Sequence, residues 1–151
     1  MPEKSTNAAR ASRSFDLPAS AVWAALTDLD ALAEWAPGID GAAVISDAKG
    51  GVGAVRSVTT AQFGQIEHHV TAWEPDRLFA YVTADSGPFS RTNTVYELAP
   101  TDTGADVNVT LEFEVKPGAM TPEQAEAVLT KSLNATLQAL ELRARMHTSE
   151  A

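Results

Sequence analysis

A chain of 151 residues is one domain's worth of sequence, and it carries no cysteine, which excludes disulfides, thiolate metal sites and cysteine nucleophiles. With 20 Asp and Glu against 11 Lys and Arg, the formal net charge is −9, which disfavours nucleic acid and anionic membranes as partners. A single core burying roughly 70% of the unfolded surface needs no staples at this length.

Residues 1–7 have no hydrophobic stretch, so they read as a flexible leader rather than a secretory signal. The expected address is cytoplasmic, and no apolar run is long enough to insert in a membrane. Strand-like alternation begins near Ala9 and runs to Leu17, with Phe15 buried. Ala19 to Thr27 follows as a short helix with Val22, Trp23 and Leu26 inward, and Asp28 can cap a second, Leu29 to Trp35. Pro37 and Gly38 end it.

The pattern then changes to strands: Ala42–Ser46, Ala54–Ala61, Gln65–Trp73, Leu78–Ala84, Phe89–Leu98 and Ala105–Val115. Lys49-Gly50-Gly51, Gly64, Glu74-Pro75-Asp76 and the Gly87-Pro88 and Gly104 loops separate them. The last strand alternates most clearly. Ala105, Val107, Val109, Leu111, Phe113 and Val115 share one face, and Asp106, Asn108, Thr110, Glu112 and Glu114 the other.

Pro122 to about His147 is one amphipathic helix, opened by Thr121 as N-cap with Gln124 placed to reach back. About 25 residues make a rod of roughly 38 Å, enough to cross a small domain. Its stripe is Ala125, Val128, Ser132, Ala135, Ala139, Leu142 and Met146, widened by Leu129, Leu133, Leu137 and Leu140. The small centre at Ser132, Ala135 and Ala139 has two readings: close approach of helix to sheet, or a space beside the helix for an apolar ligand. Residues 148–151 read as a tail.

Other chemistries fail on context. Gly50-Gly51-Val52-Gly53 leads into a strand, not a helix, so it is no phosphate loop. His68 and His69 are neighbours on a strand, point to opposite faces and cannot chelate one ion, so no metal is expected. No nucleophile elbow is present. The polar strand residues His68, Arg91, Asn93 and Tyr96 remain as site candidates, with the aromatics Phe89 and Tyr81. His68 shares a face with Ile66 and Val70, though whether that face or the His69 face is inner stays open; inside, it would orient a ligand or act as acid or base. Tyr96 shares a face with Thr94 and Leu98. Arg91 lies one register off and turns inward only if a bulge intervenes. Phe89 and Tyr81, near strand ends, are candidates for a cavity mouth.

The order of elements, with Phe15-Asp16-Leu17-Pro18-Ala19, Val22-Trp23, Leu26-Thr27-Asp28 and Trp35-Ala36-Pro37-Gly38, resembles the START and birch-pollen-allergen (SRPBCC) superfamily. Gly53-Ala54-Val55-Arg56, Trp73-Glu74-Pro75-Asp76-Arg77-Leu78, and Tyr96-Glu97-Leu98-Ala99-Pro100 with Gly104 sharpen the resemblance to its polyketide cyclase/dehydrase and lipid-transport family of small bacterial proteins. The resemblance spans residues 8–147 as one domain. It implies an α+β helix-grip fold: a seven-stranded antiparallel sheet wrapped around the C-terminal helix, with two short helices after strand 1. It also implies that the Tyr96 face is inner and that Trp35 borders a cavity entrance, as packing, gate or both. The implied function is binding of a small hydrophobic ligand, lipid, polyketide or aromatic, between sheet and helix, by a monomer or homodimer without a cofactor. Trp35, His68, Tyr81, Phe89, Arg91, Tyr96, Ser132, Ala135 and Ala139 would line the site. The residues leave open whether the same cavity works as a cyclase or dehydrase, with His68 or Tyr96 as acid or base and Arg91 holding an enolate. A protein-interaction module would need an exposed apolar patch, which neither the helix's polar face nor the last strand's outer face offers.

Overall fold

The computed structural model describes residues 7–150, so what the sequence implies for residues 1–6 and 151 lies outside the described residues. The elements are β1 (Asn7–Phe15), α1 (Ala19–Leu26), a 3-10 helix (Leu29–Glu34), β2 (Ile39–Val44), β3 (Val55–Thr60), β4 (Gly64–Glu74), β5 (Leu78–Ser86), β6 (Phe89–Pro100), β7 (Ala105–Val115) and α2 (Pro122–Glu150).

Six strands follow one another by hairpins, so each pairs antiparallel with the next, and β1 returns beside β7. The sheet order β1-β7-β6-β5-β4-β3-β2 leaves β1 and β2 at opposite edges. The link between them must therefore cross the whole sheet, and α1 and the 3-10 helix make that crossing over its apolar face. Asp28 makes no side-chain cap; Asp30 instead accepts a hydrogen bond from the Val44 N–H at 2.7 Å, tying the 3-10 helix to β2. The β3–β4 hairpin turns at Gly64, whose φ of 73° is a conformation that favours glycine.

The alternation of β7 reaches the structure intact: Ala105, Val107, Val109 and Phe113 are buried, while Asn108 and Glu114 are exposed. α2 opens with the reciprocal cap expected of it. Gln124 N–H donates to Thr121 Oγ1 at 3.1 Å, and Thr121 N–H donates to Gln124 Oε1 at 3.0 Å.

The inward face of α2 corrects the sequence expectation. Ala125, Leu133, Leu137, Leu140 and Ala144 are buried. Ser132 and Ala135 are exposed and Ala139 only half-buried, while Val128, Leu142 and Met146 are 57%, 64% and 56% exposed. The two stripes lie roughly 150° apart at 100° per residue. Both have helical spacing, and apolar area decides between them: leucines gain far more from leaving water than alanines and a serine do. The small residues therefore neither approach the sheet nor border a space beside it, and the helix carries an exposed apolar strip that the sequence does not announce.

α2 packs on β1, β7 and α1, while the 3-10 helix packs on β2. The larger apolar cluster gathers Phe15, Val22, Trp23, Leu26, Leu29, Phe79, Tyr96, Leu98, Val107, Leu133 and Leu137, among others. A second cluster, Phe89 with Phe113 and Ala125, sits under the first turns of α2. No helix among the described residues is long and apolar enough to cross a membrane.

Candidate functional site

Neighbouring antiparallel strands place partner residues side by side on one face. Arg56 of β3 pairs with His68 of β4, Val70 of β4 with Tyr81 of β5, Tyr81 with Thr94 of β6, and Phe79 with Tyr96. Strand period two then puts Arg56, His68, Tyr81, Thr94 and Tyr96 on the same concave side, in a polar diagonal crossing four adjacent strands. Arg56, His68, Thr94 and Tyr96 are buried, at 2%, 7%, 4% and 4% exposure, and Tyr81 is half-buried. The open question on β4 is resolved: His68 faces in, and His69 is exposed and beside Glu67.

The chemistry of the diagonal follows from one contact. Arg56 Nη2 donates to His68 Nδ1 at 2.7 Å. A guanidinium has no acceptor and keeps its proton, so Nδ1 is the accepting nitrogen and the ring proton sits on Nε2. His68 is therefore neutral, in agreement with a pKa held well below 6.5 by burial first and by the Arg56 charge and His69 next. Its ring stacks on Tyr81, with centroids 4.1 Å apart and planes 16° apart. Arg56 Cζ lies 5.4 Å from the Tyr81 ring centroid, a cation–π distance. Tyr81 is electrostatically coupled to Tyr96 and to Thr94. Burial raises both tyrosines above their ordinary value, Tyr96 the more strongly, so both hold their protons at neutral pH. The diagonal as a whole is a set of donors at pH 7.

One of those donors, and a tryptophan outside the diagonal, lack a partner. Arg56 Nε and Trp35 Nε1 are buried N–H groups with no hydrogen bond. Trp35 follows directly on the 3-10 helix, whose Leu29 carbonyl accepts from Arg56 Nη1 at 3.5 Å. An unsatisfied buried donor costs about 1–3 kcal/mol and calls for an explanation.

The remaining candidates fall elsewhere. β6 does carry a bulge between Phe89 and Arg91, but the extra residue, Ser90, lets Phe89 point inward and leaves Arg91 on the outer face. Arg91 is exposed there, lining a groove of about 190 Å³ with Asn93, Glu112, Phe113 and Glu114. It is thus apart from His68 and Tyr96, and Arg56 supplies the inner cation in its place. Phe89 is buried in the smaller cluster, 5.6 Å from Phe113 and 6.3 Å from Phe63 between ring centroids. Ser132 and Ala135 face away from the sheet. Arg56 and Thr94 were missed as site residues. The usable signal for Arg56 was its parity with Ala54 and Val58, which are fully buried, in a strand whose other face reads Val55, Ser57 and Thr59.

The buried neutral histidine sets a pH dependence. The unfolded chain binds a proton at this position below about pH 6.5, whereas the folded chain resists until well below that. Stability is therefore full above pH 6.5 and is lost as pH falls from 6.5 toward the depressed folded value, by up to about 1.4 kcal/mol per pH unit. Urea unfolding at pH 7.5, 6.5 and 5.5 should show this slope in the wild type and its loss in His68→Gln. Equal slopes in the two proteins would mean that His68 titrates freely. Among the described residues no group of three His, Asp or Glu side chains comes together to hold a metal.

A family model described as polyketide cyclase/dehydrase and lipid transport matches residues 7–145. No curated protein matches the chain. Among solved structures, the Zhui aromatase/cyclase from Streptomyces sp. R1128 superposes with a TM-score of 0.80 at 18% identity, covering 95% of this chain and 96% of that one. A START superfamily protein from Mycobacterium smegmatis gives 0.77 at 16% identity, covering 94% and 99%. Ara h 8.0201 gives 0.75 at 19% identity, covering 94% and 99%. At these identities the likeness is one of fold: a seven-stranded antiparallel sheet gripping a long C-terminal helix.

Proposed function

Because this chain belongs to the polyketide cyclase/dehydrase and lipid-transport family, we propose that it binds a small hydrophobic molecule between the concave face of the sheet and α2. The observation that carries this reading is the pair of buried, unpartnered donors, Arg56 Nε and Trp35 Nε1, beside an otherwise apolar interior. Ligand sites of this kind have apolar walls and a few convergent polar groups. Here the walls are Leu29, Val70, Phe79, Leu133 and Leu137, and the polar groups are Arg56, His68, Tyr81 and Tyr96. Apolar burial supplies affinity at roughly 25 cal/mol per Å², and the donors fix orientation.

Native mass spectrometry tests it. The protein as purified, or after incubation with a mixture of small apolar alcohols, esters and acids, should carry an adduct that organic extraction removes. A bare polypeptide mass under both conditions would sink the reading.

A second reading, a cyclase or dehydrase using the same site, draws support from the convergence of His68 and Tyr96 on Tyr81. The protonation states favour binding over catalysis. His68 Nδ1 is occupied by Arg56, and both tyrosines keep their protons, so the diagonal offers donors to an oxygen but no free base at pH 7. Turnover of a poly-β-carbonyl chain above the uncatalysed rate would reverse that ranking.

A further inference from the structure

The binding reading leaves the chemical class of the ligand open, and resting on that reading, we infer that the ligand is an apolar acid whose carboxylate is held by Arg56. Arg56 is 2% exposed and has no ion pair: no carboxylate of the described residues lies within salt-bridge distance of it. Its neighbours are all neutral. His68 offers a lone pair, Leu29 a carbonyl at 3.5 Å, and Tyr81 a ring face. Asp30, the carboxylate whose charge reaches it, is itself exposed and spends Oδ1 on the Val44 N–H.

A buried cation without a counter-charge is costly, and natural interiors pair such charges. The rest of the chain makes the case sharper. At a net charge of −9 the protein has carboxylates in excess, yet none of the described residues places one against the fully buried Arg56 guanidinium. Arg56 has five N–H groups, of which two are engaged, so three remain, Nε–H among them. That is enough for the two-oxygen fork by which arginine takes a carboxylate. The neutral His68 contributes Nε2–H as a further donor, and the protonated tyrosines add hydroxyls. An ester or alcohol of the same body would satisfy hydrogen bonds but leave the charge unbalanced.

The test compares acids with their own methyl esters: 2-naphthoic acid with methyl 2-naphthoate, and dodecanoic acid with methyl dodecanoate. Affinities are read by calorimetry and by tryptophan emission at pH 7.5. The wild type should bind at least one acid tenfold or more tightly than its ester. Arg56→Met, which replaces the buried charge with an apolar side chain of similar length, should bring acid and ester within threefold of each other. Should that variant fail to fold, the wild-type ratio decides alone. Acid and ester binding equally to the wild type would overturn the inference and leave the binding reading standing. Binding of none of the four would overturn both.

Discussion

Phe79→Ala should destabilise the protein by about 3–5 kcal/mol, the range for emptying the site of a buried phenylalanine. Phe79 is 1% exposed and lies at the centre of the aromatic core. Its ring meets Trp23 at 6.4 Å and Trp73 at 5.8 Å, both edge to face, and Tyr81 at 5.6 Å and Tyr96 at 6.3 Å. Those contacts add geometric preference to the area buried, since aromatic pairs favour tilted and offset arrangements. They also join the core to the polar diagonal: Tyr81 stacks on the His68 ring, and Tyr96 is electrostatically coupled to Tyr81. Urea unfolding would read the loss in stability. Near-ultraviolet circular dichroism would show weaker tryptophan bands, because Trp23 and Trp73 lose the edge they pack on. Phe79→Leu, which keeps most of the volume, should cost far less. A loss below about 1 kcal/mol for the alanine variant would show that the cluster does not depend on this ring.

Leu137→Ala should cost about 2–5 kcal/mol, while Ala135→Leu should change stability by less than about 0.5 kcal/mol. The pair decides which side of α2 faces the sheet. Leu137 is 1% exposed within the main cluster and Ala135 is exposed, although the two are only two residues apart. If the small-residue stripe lined the interior, the enlarged residue at 135 would overpack it and cost about 1–3 kcal/mol. Urea midpoints of the two variants against wild type settle the orientation, and a reversed order of effects would refute the packing described here.

Much of this molecule was legible as a string of residues because the relevant physics is local. Turn residues between alternating runs located seven strands, and β7 fell where its period-two pattern placed it, Ala105–Val115. The Thr121 and Gln124 cap is a contact across three residues, so it could be read without any tertiary information. Inner placement of Tyr96 also followed, from the family resemblance and from its parity with Thr94 and Leu98, which are buried with it.

The failures share one cause: two faces compete and the winner is set by distant partners. On α2 both the leucine stripe and the small stripe obey helical spacing, and only packing against β1, β7 and α1 selected the leucines. On β6 the bulge after Phe89 was foreseeable as a possibility, but which residue it re-aimed depended on pairing with Val115 and Glu114 of β7. On β3 an arginine in an alternating strand defaults to solvent. Arg56 lies inside because Ala54 and Val58, with which it shares a face, must be buried, and because His68 on the next strand accepts its hydrogen bond.

The sequence by itself determined the class of fold, the order of its elements, the absence of cysteine chemistry and the acidic balance, because these depend on composition and short-range periodicity. Only the tertiary structure decided that Arg56, His68, Tyr81 and Tyr96 share one inner face of the sheet and that Arg91, Ser132 and Ala135 are exposed away from it. Cross-strand register joins residues up to 40 positions apart in the chain, and no local pattern encodes which of two faces a strand or helix will bury.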